Sequence, residues 1–259
     1  MPELPEVETY RRFFAEHAEG RIVRAVDVLD PEIVRNAAPQ DVGRLLTGHR
    51  FDEPGRQGKW LVCPAGGPTL VFHFGMTGDF IWSGDEPDRH RHDRLVLVFD
   101  EGELRYRNMR RLGGVWLAEN DEELNLVLGG LGPDALAIER DEFLGSLSRR
   151  RGGVKALLMN QRLVSGIGNL VADEILWQAR IHPQRRVEDL SPKDRGRLFR
   201  TMHRVLAAAV EDVDYLDTNR RWLSRVRGRP GARCPRCGTE LSRTVVVGRT
   251  TYFCPSCQR

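Results

Sequence analysis

Cys234-Pro235-Arg236-Cys237 and Cys254-Pro255-Ser256-Cys257 stand near the end of the chain, separated by the sixteen residues 238 to 253. Each Cys-x-x-Cys pair offers two thiolates from one tight turn, and two such turns supply the four sulfur ligands of a tetrahedral zinc site. Val245-Val246-Val247 and Thr250-Thr251-Tyr252-Phe253 flank Gly248-Arg249, so the spacer reads as a β-hairpin. A redox pair or structural disulfides are the alternatives. Two matched pairs in a chain with no export signal favour one structural zinc on Cys234, Cys237, Cys254 and Cys257. The fifth cysteine, Cys63, sits in the apolar run Trp60-Leu61-Val62-Cys63 and reads as a buried strand residue.

Charge is distributed unevenly around this module. The 259 residues carry a net charge of only +3. From Asn219 to Arg259, however, ten arginines face a single acid, Glu240, a local balance of +9. Such a surface suits a polyanion, and the guanidinium fork favours phosphate. A solvated basic tail or an acidic protein partner is the competing reading. Only three lysines occur, Lys59, Lys155 and Lys193. In a chain that otherwise uses arginine they mark places for a point charge or a titratable amine, although surface placement is the expectation for each one singly.

The other end begins Met1-Pro2-Glu3-Leu4-Pro5-Glu6-Val7-Glu8. Once Met1 is removed, the chain starts with a secondary amine beside a carboxylate. An amine titrating near pH 8 is a ready nucleophile toward an electrophilic carbon, and a neighbouring carboxylic acid can protonate a departing oxygen. A disordered proline ahead of a helix is the plainer reading.

Between the ends, residues 3–18 have a helical period of apolar positions, and 39–47 reads as a second helix. From about 22 to 118 the pattern is strand-like, as in Thr69-Leu70-Val71-Phe72-His73-Phe74 and Leu95-Val96-Leu97-Val98-Phe99, which predicts a β-sandwich or barrel. Gly129-Gly130-Leu131-Gly132-Pro133 breaks the pattern. Helices are expected at 141–149, 154–161, 169–179 and 191–212. Val164-Ser165-Gly166-Ile167-Gly168-Asn169 joins two of them, with Asn169 expected to cap the second and its N–H groups to favour a phosphate. The fold class is therefore α+β and multidomain. An N-terminal β-sandwich domain with flanking helices (1–130) precedes a helical domain (131–228) and a C4 zinc-finger hairpin (229–259). No apolar stretch is long enough to span a bilayer and no signal peptide is legible, so a cytoplasmic protein is expected, neither secreted nor membrane-bound.

With both ends and the Gly-containing joint in view, the chain resembles the formamidopyrimidine-DNA glycosylase/endonuclease VIII family of base-excision repair, over nearly its whole length and in motif order. Pro2 to Glu8 is similar to the formamidopyrimidine branch. Gln57-Gly58-Lys59-Trp60-Leu61 resembles the family's lysine-bearing strand. His73-Phe74-Gly75-Met76-Thr77-Gly78 resembles its His-x-Gly-Met-Ser/Thr-Gly loop, and Val164 to Glu174 its helix–two-turn–helix.

The resemblance implies a bifunctional DNA glycosylase and abasic-site lyase, nucleoid-associated and monomeric, acting on damaged DNA, duplex first. Pro2 would attack C1′ of the damaged nucleotide and Glu3 would protonate the sugar ring oxygen. Glu6 would order the site, and Lys59 would be a second proton donor and phosphate contact. Arg249 would grip the phosphate beside the lesion during δ-elimination, by electrostatic stabilisation, because arginine hardly deprotonates. His90, Arg110, Arg150 and Asn169 match positions that contact the DNA backbone, and His73 is a further DNA-binding residue of the resembling loop. Met76, Arg110 and Leu112 match the trio that fills the gap left by an everted base.

Three departures bear on specificity. Leu112 stands where the family commonly has Phe, and Val171 where it commonly has Tyr. Between Val210 and Cys234 the chain is shorter than in the formamidopyrimidine branch and lacks that branch's purine-capping segment. The alternative from another class is a non-catalytic protein that binds damaged or structured DNA on the same scaffold, which the retained Pro2, Glu3 and Lys59 argue against.

Overall fold

The computed structural model describes residues 2–84, 89–212, 219 and 221–259, which fall into two compact units. Pro2 and residues 6–130 belong to the first unit; Glu3–Pro5 and Leu131–Arg259 belong to the second.

In the first unit, α1 (Leu4–Ala18) presents Val7, Phe14 and Ala18 to the core. Pro5 lies in its first turn, where the missing N–H is no loss. Two four-stranded antiparallel sheets follow. One runs in the order β1-β6-β7-β5, built from β1 (Ala25–Val28), β6 (Asp93–Phe99), β7 (Gly102–Asn108) and β5 (Gly78–Ser83). The other runs β2-β3-β4-β8, from β2 (Gly55–Gln57), β3 (Trp60–Pro64), β4 (Thr69–His73) and β8 (Gly114–Ala118). Strict alternation in β3 buries Leu61 and Cys63 and leaves Trp60 and Val62 half-covered, as a two-residue side-chain period requires. Leu61, Leu70 and Phe72 of one sheet share a core with Phe80, Leu95, Leu104 and Tyr106 of the other. This is the expected sandwich. α2 (Pro39–Leu46) buries Val42 and Leu46, and α3 (Asp121–Leu128), which the sequence pattern did not reveal, packs on β8.

In the second unit, α4 (Arg140–Ser148), α5 (Val154–Leu158), α6 (Asn169–Ala179) and α7 (Pro192–Glu211) enclose a separate core. α5 stops three residues before its expected end. Ser191 caps α7 by accepting from Asp194 N–H, and Leu198, Met202, Val205, Leu206 and Ala209 form its buried stripe. β9 (Ser242–Val246) and β10 (Arg249–Phe253) make the terminal hairpin, with Val246 paired to Arg249. Its two-residue turn has positive φ at both Val247 (48°) and Gly248 (68°), the twist-matched geometry of tight hairpins. Among the described residues, no helix is long and apolar enough to cross a membrane.

Candidate active site

The first unit assembles its site residues on adjoining turns. Lys59 lies in the turn from β2 to β3 and is only 6% exposed. That turn is braced from α1: Glu8 pairs with Arg56 at 3.1 Å, and Arg56 donates to the Gly58 carbonyl at 3.0 Å. Burial opposes the charge on Glu8, but Arg11 and Arg56 outweigh it and hold its carboxyl below the usual range. Sequence reading did not single out Glu8 or Arg56. His73, at the end of β4, packs against Trp60. Burial, and then the Lys59 charge, lower its pKa to about 4. His73 is therefore neutral at pH 7. Gly75 N–H donates to its Nδ1 at 3.3 Å, which leaves the proton on Nε2 to meet an acceptor such as a phosphate oxygen.

Met76 and Leu112 are 43% and 54% exposed, so neither is a core residue. Arg110 donates from Nη1 to the Met76 sulfur at 3.3 Å and from its backbone N–H to Thr77 Oγ1 at 3.0 Å. The two loops are knitted together by Asn108, which is fully buried. Its Oδ1 accepts from Thr77 Oγ1 and from Arg111 N–H, and its Nδ2 donates to Tyr106 Oη. Asn108 was not anticipated, because nothing local in Arg107-Asn108-Met109 distinguishes a linchpin from a turn residue. Met109, 54% exposed beside Arg110, adds a further apolar side chain on that loop. His90 is exposed; its N–H donates to Asp93 at 2.7 Å and its ring lies 5.1 Å from that of His92. Glu6 is half-buried in the first turn of α1.

In the second unit the decisive residue is Glu3. It is 6% exposed, and its carboxylate accepts three backbone N–H groups from the start of α6. Gly168 donates to Oε2 at 2.9 Å, Val171 to Oε2 at 3.1 Å and Leu170 to Oε1 at 2.9 Å. The helix N-terminus is thus an anion site, as expected, but its anion is Glu3 and not a phosphate. Glycine at 168 is required by this approach, since a Cβ there would collide with the Glu3 carboxyl group. Asn169 is not the cap. Gly168 holds that position, and Asn169 turns its side chain to Lys155 and to the Thr250 carbonyl. Val171 is fully buried in the helical core.

Lys155, fully buried, forms an ion pair with Asp173 at 2.6 Å, so the surface expectation fails for two of the three lysines. Arg150 is exposed at the end of α4. Arg249 is exposed at the hairpin turn and has no ion pair among the described residues. Several of the other terminal arginines are spent internally. Arg227 pairs with Asp173 at 2.7 Å, Arg233 donates to the Gly238 carbonyl, and Arg236 caps the Trp177 carbonyl while stacking on its ring.

The four sulfur atoms of Cys234, Cys237, Cys254 and Cys257 lie within 4.8 Å of one another. Zinc–sulfur bonds of about 2.3 Å at a tetrahedral angle require sulfurs roughly 3.8 Å apart. The Cys234–Cys257 and Cys237–Cys254 separations, 3.9 and 3.5 Å, fit that requirement. Trp177 Nε1–H points at Cys234 Sγ at 3.3 Å, an outer-shell donor suited to a thiolate ligand. The four cysteines hold one structural zinc. Cys63 is buried in β3, as its apolar run implied.

Comparison with known proteins agrees with this construction throughout the chain. The formamidopyrimidine-DNA glycosylase N-terminal domain matches residues 1–115, the formamidopyrimidine-DNA glycosylase H2TH domain matches 130–219, and the zinc finger found in FPG and IleRS matches 231–259. A formamidopyrimidine-DNA glycosylase of Symbiobacterium thermophilum is 39% identical, covering 100% of this chain and 89% of its own. One from a Nocardioides species is 37% identical, covering 100% and 94%. Among solved structures, the Lactococcus lactis enzyme non-covalently bound to DNA containing an AP site superposes with a TM-score of 0.90 at 31% identity, over 99% of each chain. The same enzyme with DNA containing N7-benzyl-Fapy-dG gives 0.90 at 29% identity over 100% of each. The chain belongs to the formamidopyrimidine-DNA glycosylase family, the DNA glycosylases of base-excision repair in which AP lyase activity is typical.

Proposed function

We propose that Pro2, freed by removal of Met1, is the nucleophile of a bifunctional glycosylase and AP lyase that works as a monomer on damaged duplex DNA. The Pro2 nitrogen attacks C1′ and the glycosidic bond to the base breaks; the Glu3 carboxylate takes the proton that the Pro2 nitrogen sheds and passes it to the sugar ring oxygen as the C1′–O bond opens. The resulting iminium acidifies C2′. Loss of that proton expels the 3′ phosphate, and a second elimination expels the 5′ phosphate. Glu6 orders the nucleophile. Lys59 supplies a second proton and a phosphate contact. Arg249 stabilises the departing phosphate electrostatically.

The observation that carries this reading is Glu3, a buried carboxylate one residue from Pro2 and fastened by three N–H donors. Pure DNA binding does not require the set of Pro2, Glu3 and Lys59 together. His73, Arg110, His90, Arg150 and Asn169 serve the DNA backbone, the last through its neighbours. Met76, Arg110 and Leu112 fill the vacated stack.

Lesion choice follows from the departures. Leu112 lacks an aromatic face, which is worth roughly 1–3 kcal/mol per stacked base in single-strand binders. The short segment between 210 and 234, which lies partly outside the described residues, leaves little chain to close over an oxidised purine. Weak 8-oxoguanine excision is expected, with better activity on ring-opened purines, oxidised pyrimidines or preformed abasic sites. Rates on defined duplexes decide this, and 8-oxoguanine opposite cytosine as the fastest substrate would reverse it. Borohydride trapping on abasic DNA tests the whole reading. Native protein should cross-link, and protein with a blocked N-terminus should not. No cross-link from either would favour the non-catalytic alternative.

A further inference from the structure

Lys155 and Asp173, both buried, form with the half-buried Arg227 a cluster that no step above uses. Lys155 makes one ion pair and donates two hydrogen bonds. Nζ lies 2.6 Å from Asp173 Oδ1, 2.7 Å from Asn169 Oδ1 and 2.7 Å from Thr251 Oγ1. The other Asp173 oxygen accepts from Arg227 Nε at 2.7 Å and from Tyr252 N–H at 3.2 Å. Arg227 and Asn169 both donate to the Thr250 carbonyl, at 3.0 and 3.1 Å. Three consecutive residues of β10 are therefore gripped by α5, α6 and the segment that carries Arg227. Thr251, itself fully buried, passes the contact on, because its hydroxyl donates to the Arg249 carbonyl at 3.1 Å.

Two cations share one carboxylate in this cluster. Removing Asp173 would deprive the buried Lys155 and the half-buried Arg227 of the carboxylate they pair with, the costly arrangement for an ion pair that loses one partner. The second zinc-binding pair begins at Cys254, just past β10. The strand is thus fixed twice, by the metal at its far end and by the ionic cluster behind Arg249.

We propose that Asp173 is a positioning residue for the elimination chemistry. Through Lys155, Thr251 and Tyr252 it sets where Arg249 stands, and it does so independently of zinc. This rests on the assignment of Arg249 to the departing phosphate. Asp173 touches no substrate, so its loss should move the partition between β- and δ-elimination without moving Schiff-base formation.

The test uses the zinc-loaded full chain on a duplex with one abasic site, with β and δ products resolved under single turnover. Borohydride trapping and zinc content are measured in parallel. Arg249→Ala should lower the δ rate by roughly tenfold or more. Asp173→Asn should lower it by a comparable factor, with trapping within about threefold of the parent and one zinc per chain. Asp173→Glu, which keeps the charge, should recover part of the loss. Asp173→Asn combined with Arg249→Ala should be no worse than Arg249→Ala alone, since both act through one group. Thr251→Val, which cuts the link with little change of volume, should shift the partition in the same direction by a smaller factor. If Arg249→Ala leaves the δ rate intact, the role given to Arg249 is wrong. If Arg249→Ala slows it but Thr251→Val and Asp173→Asn do not, or if the double variant shows additive losses, the positioning role is overturned. A misfolded Asp173→Asn leaves the decision with Thr251→Val.

Discussion

Gly168→Ala isolates the role of Glu3 without touching Glu3. Gly168 has φ −115° and ψ −159°, extended backbone that alanine adopts freely, so any effect arises from the added Cβ. That Cβ would run into the Glu3 carboxyl group and drive the side chain off the start of α6. Three N–H donors, of Gly168, Leu170 and Val171, would lose their acceptor. At about 1 kcal/mol per stranded donor, the low end of the usual range, the loss is ~3 kcal/mol. That corresponds to a fall of order 10 °C in the unfolding midpoint of a unit this size. Displacing a catalytic carboxylate by an ångström or so should cost about 10²-fold in the rate of borohydride trapping. The assay is a double-mutant cycle of Gly168→Ala with Glu3→Ala, read by thermal unfolding and by trapping on abasic duplex. Alanine is a poorer residue than glycine ahead of a helix, and the Glu3→Ala background subtracts that contribution. A coupling of about 2–3 kcal/mol is expected, with Gly168→Ala nearly silent once Glu3 is gone. Additivity within about 0.5 kcal/mol, or wild-type trapping by Gly168→Ala, would refute the reasoning.

Further outcomes follow from the same geometry. Cys237→Ser should release zinc and lose DNA affinity while the β-sandwich unit stays folded; metal-free protein with full affinity would contradict this. Duplex affinity should fall with salt at a log–log slope of about −5, short of the roughly −8 that nine unpaired charges would give, because Arg227, Arg233 and Arg236 are already engaged. A slope near zero would point to a protein partner for the basic end. Burial raises the Glu174 carboxyl from 4.5 to about 7. Its folded value lies above its unfolded one, so the stability linked to its proton is complete below about pH 4.5 and drains away as pH rises through 7. Glu174→Gln removes this drain, and its unfolding midpoint relative to the parent should climb between pH 5 and 8, by an equivalent of about 1–3 kcal/mol. A difference that is flat in pH would show that Glu174 does not titrate in that window.

Much of this molecule is legible in its sequence wherever the signal is local. Two Cys-x-x-Cys turns at hairpin spacing favour a metal site over a redox pair or disulfides. Ser191-Pro192 ahead of an apolar stripe specifies the start of α7. What sequence could not supply is contact across long separations. Asn169 looked like a cap because a polar residue precedes an apolar run, yet the cap function falls to Glu3, 165 residues before Gly168. Lys155 carried a faint signal, being one of three lysines in an arginine-rich chain, but its acceptors come from α6 and β10. α3 escaped notice because it is only eight residues long and its short stripe, Leu124, Val127 and Leu128, is only half-buried. Asn108 and Arg56 act through loops that only the folded sheets bring together.

The most direct test of the central claim is to identify the amino acid that carries the DNA after borohydride reduction. Protein trapped on an abasic duplex is digested and the adduct is located by tandem mass spectrometry. The expected result is one sugar adduct on the amino-terminal peptide, at the nitrogen of Pro2, with Met1 absent. An adduct on Lys59 or Lys155, or on a chain that retains Met1, would contradict it.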